Sequence, residues 1–177
     1  MFKFVIKLKL LYRLMLNTMC FSNPSKQKPM VLRKNYLKEA HQILTEARAQ
    51  YAAQHHENEF DIEAGASFRV HRTFWTGKGY VLPSDGISFS HITKDAHGVA
   101  FWSREGDAFR MHLHTREQLS NGVTAKPYHP SGADYANGLT HQNHGINSYA
   151  GAVRNGKVEL YHYTYENNKP SYRIATW

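Results

Sequence analysis

Two stretches of the chain place a histidine and a threonine two residues apart on what reads as a strand. ISFSHIT (87–93) carries His91 and Thr93, and KVELYHYTY (157–165) carries His162 and Thr164. Residues two apart on a strand point to one face. Ile87, Phe89, His91 and Thr93 therefore share a face, and so do Val158, Leu160, His162 and Thr164. Imidazole titrates near neutral pH, so a pair of histidines can take a proton from an attacking oxygen and give one to a leaving oxygen. A hydroxyl beside each ring can donate to phosphate oxygens, where negative charge must be held. That is the chemistry of metal-independent phosphodiester cleavage. A third triplet, His71-Arg72-Thr73, follows Ser67 and Arg69 on its face and lacks the apolar lead. The structural alternative is that His91 and His162 simply close the apolar face of a sheet, their ring nitrogens bonded to nearby backbone.

Two His-x-Thr motifs in one small α+β chain resemble the 2H phosphoesterases, a family that includes cyclic-nucleotide phosphodiesterases and 2′–5′ oligonucleotide hydrolases. The resemblance implies a metal-free cleft between two pseudo-symmetric halves. His91 and His162 would act as acid and base, with Thr93 and Thr164 on the phosphate and no cofactor. It is confined to the residues around each motif. Tyr161, Tyr163 and Tyr165 stand where the family has apolar residues at the second motif, and Ser90 and Lys94 depart from that pattern at the first. Arg173 is a further phosphate-holding candidate. Tyr161, Tyr163 and Trp177 are candidates for stacking on bases.

A rival set lies between the motifs. His112 and His114 share one face of AFRMHLHT (108–115), and His141 and His144 sit in the Gly- and Asn-rich THQNHGINSY (140–149). Four imidazoles can hold a borderline metal, and Asp134 is the nearest loop carboxylate. The spacings match no zinc signature, having no Cys pair and no His-Glu-x-x-His, so no metal is expected. Used without metal, His141 and His144 with Tyr149 and Arg154 would form an alternative ribonuclease-like loop site. There is no phosphate-cradling glycine loop and no Gly-x-Ser-x-Gly. The single cysteine, Cys20, lies in the first 29 residues, which excludes an intrachain disulfide and fits a reducing compartment.

These side chains need rigid elements. NYLKEAHQILTEARAQYAAQHH (35–56) has helical spacing, with Asn35 as a cap and Leu37, Ala40, Ile43, Leu44, Ala47 and Tyr51 as the buried stripe. His41 falls off that stripe and is expected in solvent. His55 and His56 suit the negative end of the helix. Beyond HENEFDIEAGA the period changes to two. FRVHRTFW, GKGYVL and ISFSHIT read as strands, and VAFWS with AFRMHLHT reads as a hairpin around Arg-Glu-Gly-Asp. Residues 115–147 read as irregular, with a short helix near Glu117. AGAVR and KVELYHYTY flank Asn155-Gly156, a strong hairpin signal, and SYRIATW returns.

The net charge of +8 is unevenly placed. Six of the 22 Lys and Arg, and none of the 14 Asp and Glu, fall within residues 1–29, while all 12 histidines lie beyond them. The body is near neutral, so steering of an anion would need a local patch. Residues 1–29 read as a basic, apolar leader or accessory segment, and 30–177 as a single α+β domain: one long N-terminal helix on a mainly antiparallel sheet, ending in a β-meander. The expected function is a histidine-dependent, metal-independent phosphodiesterase or ribonuclease acting on a nucleotide or RNA. The alternative is a non-catalytic binding protein of phage, mobile-element or immunity type, with a protein partner. A cytoplasmic setting is expected. Export or contact with a membrane surface would come only through the leader.

Overall fold

A computed structural model of the chain describes residues 34–91, 98–114, 130, 132–143, 145–154, 157–166 and 169–177. The leader, Thr93 and His144, and the helix expected near Glu117, lie outside the described residues. The architecture is α+β. A long helix, α1 (Lys34–His55), is followed by β1 (Ile62–Arg72), β2 (Gly79–Pro83), β3 (Ser88–His91) and β4 (Phe109–Leu113). A second helix, α2 (Gly132–Asn143), precedes the terminal meander of β5 (Asn147–Arg154), β6 (Lys157–Glu166) and β7 (Lys169–Thr176). The strands form one sheet in the order β2-β1-β4-β5-β6-β7, with β3 paired to the other half of the β1 edge that β2 occupies. Every pair among these strands is antiparallel except β4 with β5.

α1 is rich in Ala, Leu, Gln, Glu, Lys and Arg, which lose little side-chain freedom in a helix. It ends where His56 takes a left-handed φ of 57° and the Glu57 N–H donates to Ala52 O at 2.9 Å, closing the last turn in the Schellman manner. Its buried residues are Leu37, Ala40, His41, Leu44, Arg48 and Ala52. The face is therefore rotated from the expected stripe, and His41 is inside the protein, contrary to the expectation. It packs edge-on to the Trp177 ring and against Gly151, where a Cβ would come within 3.0 Å of its ring. Burial first, and the neighbouring Arg48 charge second, push the His41 pKa down to about 4.

The α1 face of the sheet is apolar. Ala66 and Phe68 of β1, Val81 of β2, Phe109 and Met111 of β4, Tyr149 of β5 and Leu160 of β6 pack with Leu37, Ala40 and Leu44. β1 is buried on both faces from Ile62 to Phe68, as befits a central strand. It thus begins in IEAGA, earlier than the sequence pattern placed it. The expected VAFWS hairpin does not form. Residues 99–103 are irregular and lie across the second face, so close that a Cβ on Gly65 would sit 2.4 Å from the Phe101 ring. β4 instead pairs with β1 and β5. Between β4 and β5 the chain runs through α2, a helix where an irregular segment was expected. The meander matches its expectation: Arg154 pairs with Lys157 across Asn155-Gly156. No described helix is long and apolar enough to cross a membrane.

Candidate functional site

His91 and His162 lie on the same face of the sheet, but the sheet does not bring them together. His91 pairs with Ile62 at the β3 edge, and His162 pairs with Tyr149 on β6. Strands β1, β4 and β5 stand between them, which is roughly 19 Å at one strand spacing per step. His162 is also level with Ala66, four residues along β1 from Ile62. His91 is exposed, with Nδ1 3.0 Å from Glu57 Oε2, next to Tyr51. His162 is half-buried and stacks on Tyr149, whose phenol pKa burial pushes up to about 12. Thr164 is half-buried farther along β6, and Arg173 pairs with His162 from β7. Tyr161 and Tyr163 are buried at 1% and 4% exposure, so they are core residues and not an open stacking platform. Trp177 is half-buried on α1. In the alternative loop set, His141 is on α2 and Tyr149 is on the opposite face of the sheet, packed toward α1.

The second face of the sheet carries the concentrated chemistry. β4 alternates Phe109, Met111 and Leu113 toward α1 with Arg110, His112 and His114 toward α2, and all are buried. The neighbouring positions on this face are small: Gly65 and Ala150 flank His112, and Ser67 and Ser148 flank Arg110. Room is thereby left for α2. Gly138 sets its depth, because a Cβ there would meet the Tyr163 ring at 2.9 Å. In its first turn, α2 delivers Asp134 to the two imidazoles. His112 Nε2 is 2.9 Å from His114 Nε2, Asp134 Oδ1 is 3.2 Å from His112 Nε2, and Asp134 Oδ2 is 3.5 Å from His114 Nε2. Burial alone would raise the Asp134 pKa. The His112 charge and hydrogen bonds from both imidazoles more than reverse this and hold it far below the carboxylate range.

Comparison with known proteins finds no matching family model, no matching curated protein and no matching solved structure. The site is therefore read from its own residues.

Arg110 is the cation of this face. Its guanidinium lies over the Phe101 ring, 4.4 Å from the centroid, and its buried Nε has no hydrogen-bond partner among the described residues. Burial pushes its pKa down, while Tyr163 and Asp134 push it back up, and guanidinium keeps its charge throughout. Burial, with the Asp134 charge, drives the Tyr163 phenol pKa above its ordinary value. Asp107, by contrast, is a satisfied structural carboxylate: it accepts from Arg69 Nε at 3.1 Å, Arg104 N at 2.6 Å and Ser84 Oγ at 3.1 Å. A cavity of about 430 Å³ opens at the far end of α2, where His141 and Thr140 face Arg104 and Asp107.

Asp134 was legible in the sequence as the nearest loop carboxylate to the set holding His112 and His114, without a position for it, and neither Arg110 nor Tyr163 was joined to them by sequence reasoning. The available signal was the Arg-x-His-x-His alternation on a strand whose other face is wholly apolar. A buried strand with three basic side chains on one face must have partners for them.

Proposed function

We propose that the chain is a phosphodiester-cleaving enzyme whose centre is His112, His114 and Asp134, with Arg110 holding the anionic substrate. One observation carries this reading: two imidazole nitrogens and a carboxylate converge beside a buried guanidinium whose Nε has no partner among the described residues. A planar guanidinium suits a phosphate, and pre-set donors in a water-poor site act strongly on developing charge. In the reaction the cluster takes the proton of an attacking water or ribose hydroxyl. That oxygen bonds to phosphorus, the bond to the leaving oxygen breaks, and the cluster returns a proton to the leaving oxygen, which restores its starting state. The resemblance to 2H phosphoesterases contributes the substrate class, a nucleotide or RNA, and not the positions. A cytoplasmic setting is part of the proposal and rests on the single cysteine.

The test is turnover of 2′,3′-cyclic nucleotides and short RNA oligonucleotides by the full chain. Arg110→Ala and His112→Ala should each abolish it, whereas His91→Ala should retain it. Equal rates in wild type and His112→Ala would remove the centre from the reaction.

A second reading, a non-catalytic binding protein, is favoured by Phe74, Trp75 and Trp102, exposed at 82%, 89% and 82%. Phe74 and Trp75 sit edge-to-face in the β1–β2 turn. Failure to cleave any phosphodiester, together with a partner lost on Trp75→Ser, would favour it.

A further inference from the structure

The three polar groups at the proposed centre crowd one another, and while Asp134 is ionised no placement of protons on the two imidazoles satisfies every contact. A neutral imidazole nitrogen either carries one proton or offers one lone pair, and a carboxylate only accepts. Consider the contacts among His112 Nε2, His114 Nε2 and Asp134, at 2.9, 3.2 and 3.5 Å. If both ring nitrogens carry protons, both can donate to Asp134, but the two N–H groups then face each other across 2.9 Å. If only one carries a proton, the bare nitrogen turns its lone pair on the carboxylate. While Asp134 is ionised, each arrangement leaves one of these three contacts unfavourable. The three side chains are only 7%, 4% and 16% exposed, so water screens the conflict little.

A cation among them removes the conflict, because all three atoms then present lone pairs to a single positive charge. The spacing fits. Nitrogen and oxygen ligands lie about 2.0–2.2 Å from zinc, so two of them at angles of 90–110° are about 2.8–3.6 Å apart. Two imidazoles and one carboxylate select a borderline first-row divalent ion over magnesium or calcium, which take oxygen ligands. Three protein ligands also leave a coordination position for water, the arrangement of catalytic centres and not of closed structural ones.

We infer that His112 Nε2, His114 Nε2 and the Asp134 carboxylate form a binding site for one divalent transition-metal ion, such as Zn²⁺ or Co²⁺. This deepens the proposed function and rests on the same centre. In that setting the bound ion would generate the nucleophile, making hydroxide from water at neutral pH, and Arg110 would remain the anion holder.

The experiment separates the two readings. Full-length protein stripped with a chelator is titrated with Co²⁺ and followed by visible absorption and by equilibrium dialysis, without substrate. The inference expects one Co²⁺ per chain, a ligand-field band, displacement by Zn²⁺ and a rise in melting temperature on loading. Asp134→Asn and His114→Gln should weaken binding at least ~10-fold each, and His141→Gln should leave it unchanged. Melting temperature of the stripped wild type and of each variant reports folding separately, so a lost site is distinguishable from a lost fold. No stoichiometric Co²⁺ in folded wild type overturns the metal site even if phosphodiesters are cleaved. Stoichiometric metal without any turnover upholds the site and overturns the enzymatic reading alone.

Discussion

The two faces of one sheet treat their enclosed histidines in opposite ways. On the α1 face, His41 and His162 are enclosed by Trp177, Tyr149 and Gly151, and His41 is kept neutral by burial. On the α2 face, His112 and His114 meet a carboxylate. The strand β4 makes the contrast within five residues, with Phe109, Met111 and Leu113 on one side and Arg110 and His112 on the other. Burial alone is thus a poor guide to role. What distinguishes the faces is whether the enclosed polar group finds ordinary packing or a converging set of donors and acceptors.

The sharpest way to break that contrast is Asp134→Ala. If the α2 face is the reactive one, turnover should fall about 10²–10⁴-fold, the range for losing a positioned acid–base or charge-holding group. Steady-state rates with a cyclic nucleotide check it. An equal fall in His162→Ala, with melting temperature unchanged, would move the chemistry to the α1 face. Next comes the apolar face itself. Phe68→Ala removes a ring that is fully enclosed and stacked 5.2 Å from Phe109, and should cost about 3–5 kcal/mol in urea unfolding.

The acid response sharpens the comparison further. His41 in the unfolded chain protonates below its ordinary value of 6.5, while in the folded protein it resists until about 4. The unfolded state therefore binds the extra proton, and the contribution of His41 is complete above 6.5 and lost as pH falls to about 4. Urea midpoints measured across that window should decline in wild type and decline less in His41→Gln; parallel curves would show that another group governs acid stability. Gly138→Ala should cost about 1–3 kcal/mol by forcing α2 off Tyr163, and loosen the α2-face centre with it. The smallest effect belongs to His91→Ala, whose exposed ion pair with Glu57 should contribute under about 1 kcal/mol.

Much of the fold was legible in the sequence. The helix over 34–55 and the Asn155-Gly156 hairpin announce themselves, because helical periodicity and turn chemistry are local signals. What escaped was non-local. β4 pairs in parallel with a strand 34 residues and more away in sequence, and no turn residue marks such a partner. α2 was hidden because GADYANGLTHQN is rich in Gly and Asn, poor helix formers that packing on Tyr163 overrides. Without α2, Asp134 could be named as the nearest loop carboxylate but not placed against His112. The His-x-Thr pairs were visible for the opposite reason: side chains sharing a strand face are a two-residue pattern, whereas strand order, which parts His91 from His162, leaves no such trace.

The parallel β4–β5 seam has a consequence for how the molecule comes together. β1, β2, β3 and β4 can zip by antiparallel contacts on one side, and β5, β6 and β7 on the other, each without help. The histidine pair belongs to the first assembly, and Asp134, riding on the helix that packs over β5 and β6, belongs to the second. Closing a long crossover costs chain entropy before any reward arrives. The His112–His114–Asp134 cluster therefore comes into being only when the halves dock, and any ion it captured would rivet them shut.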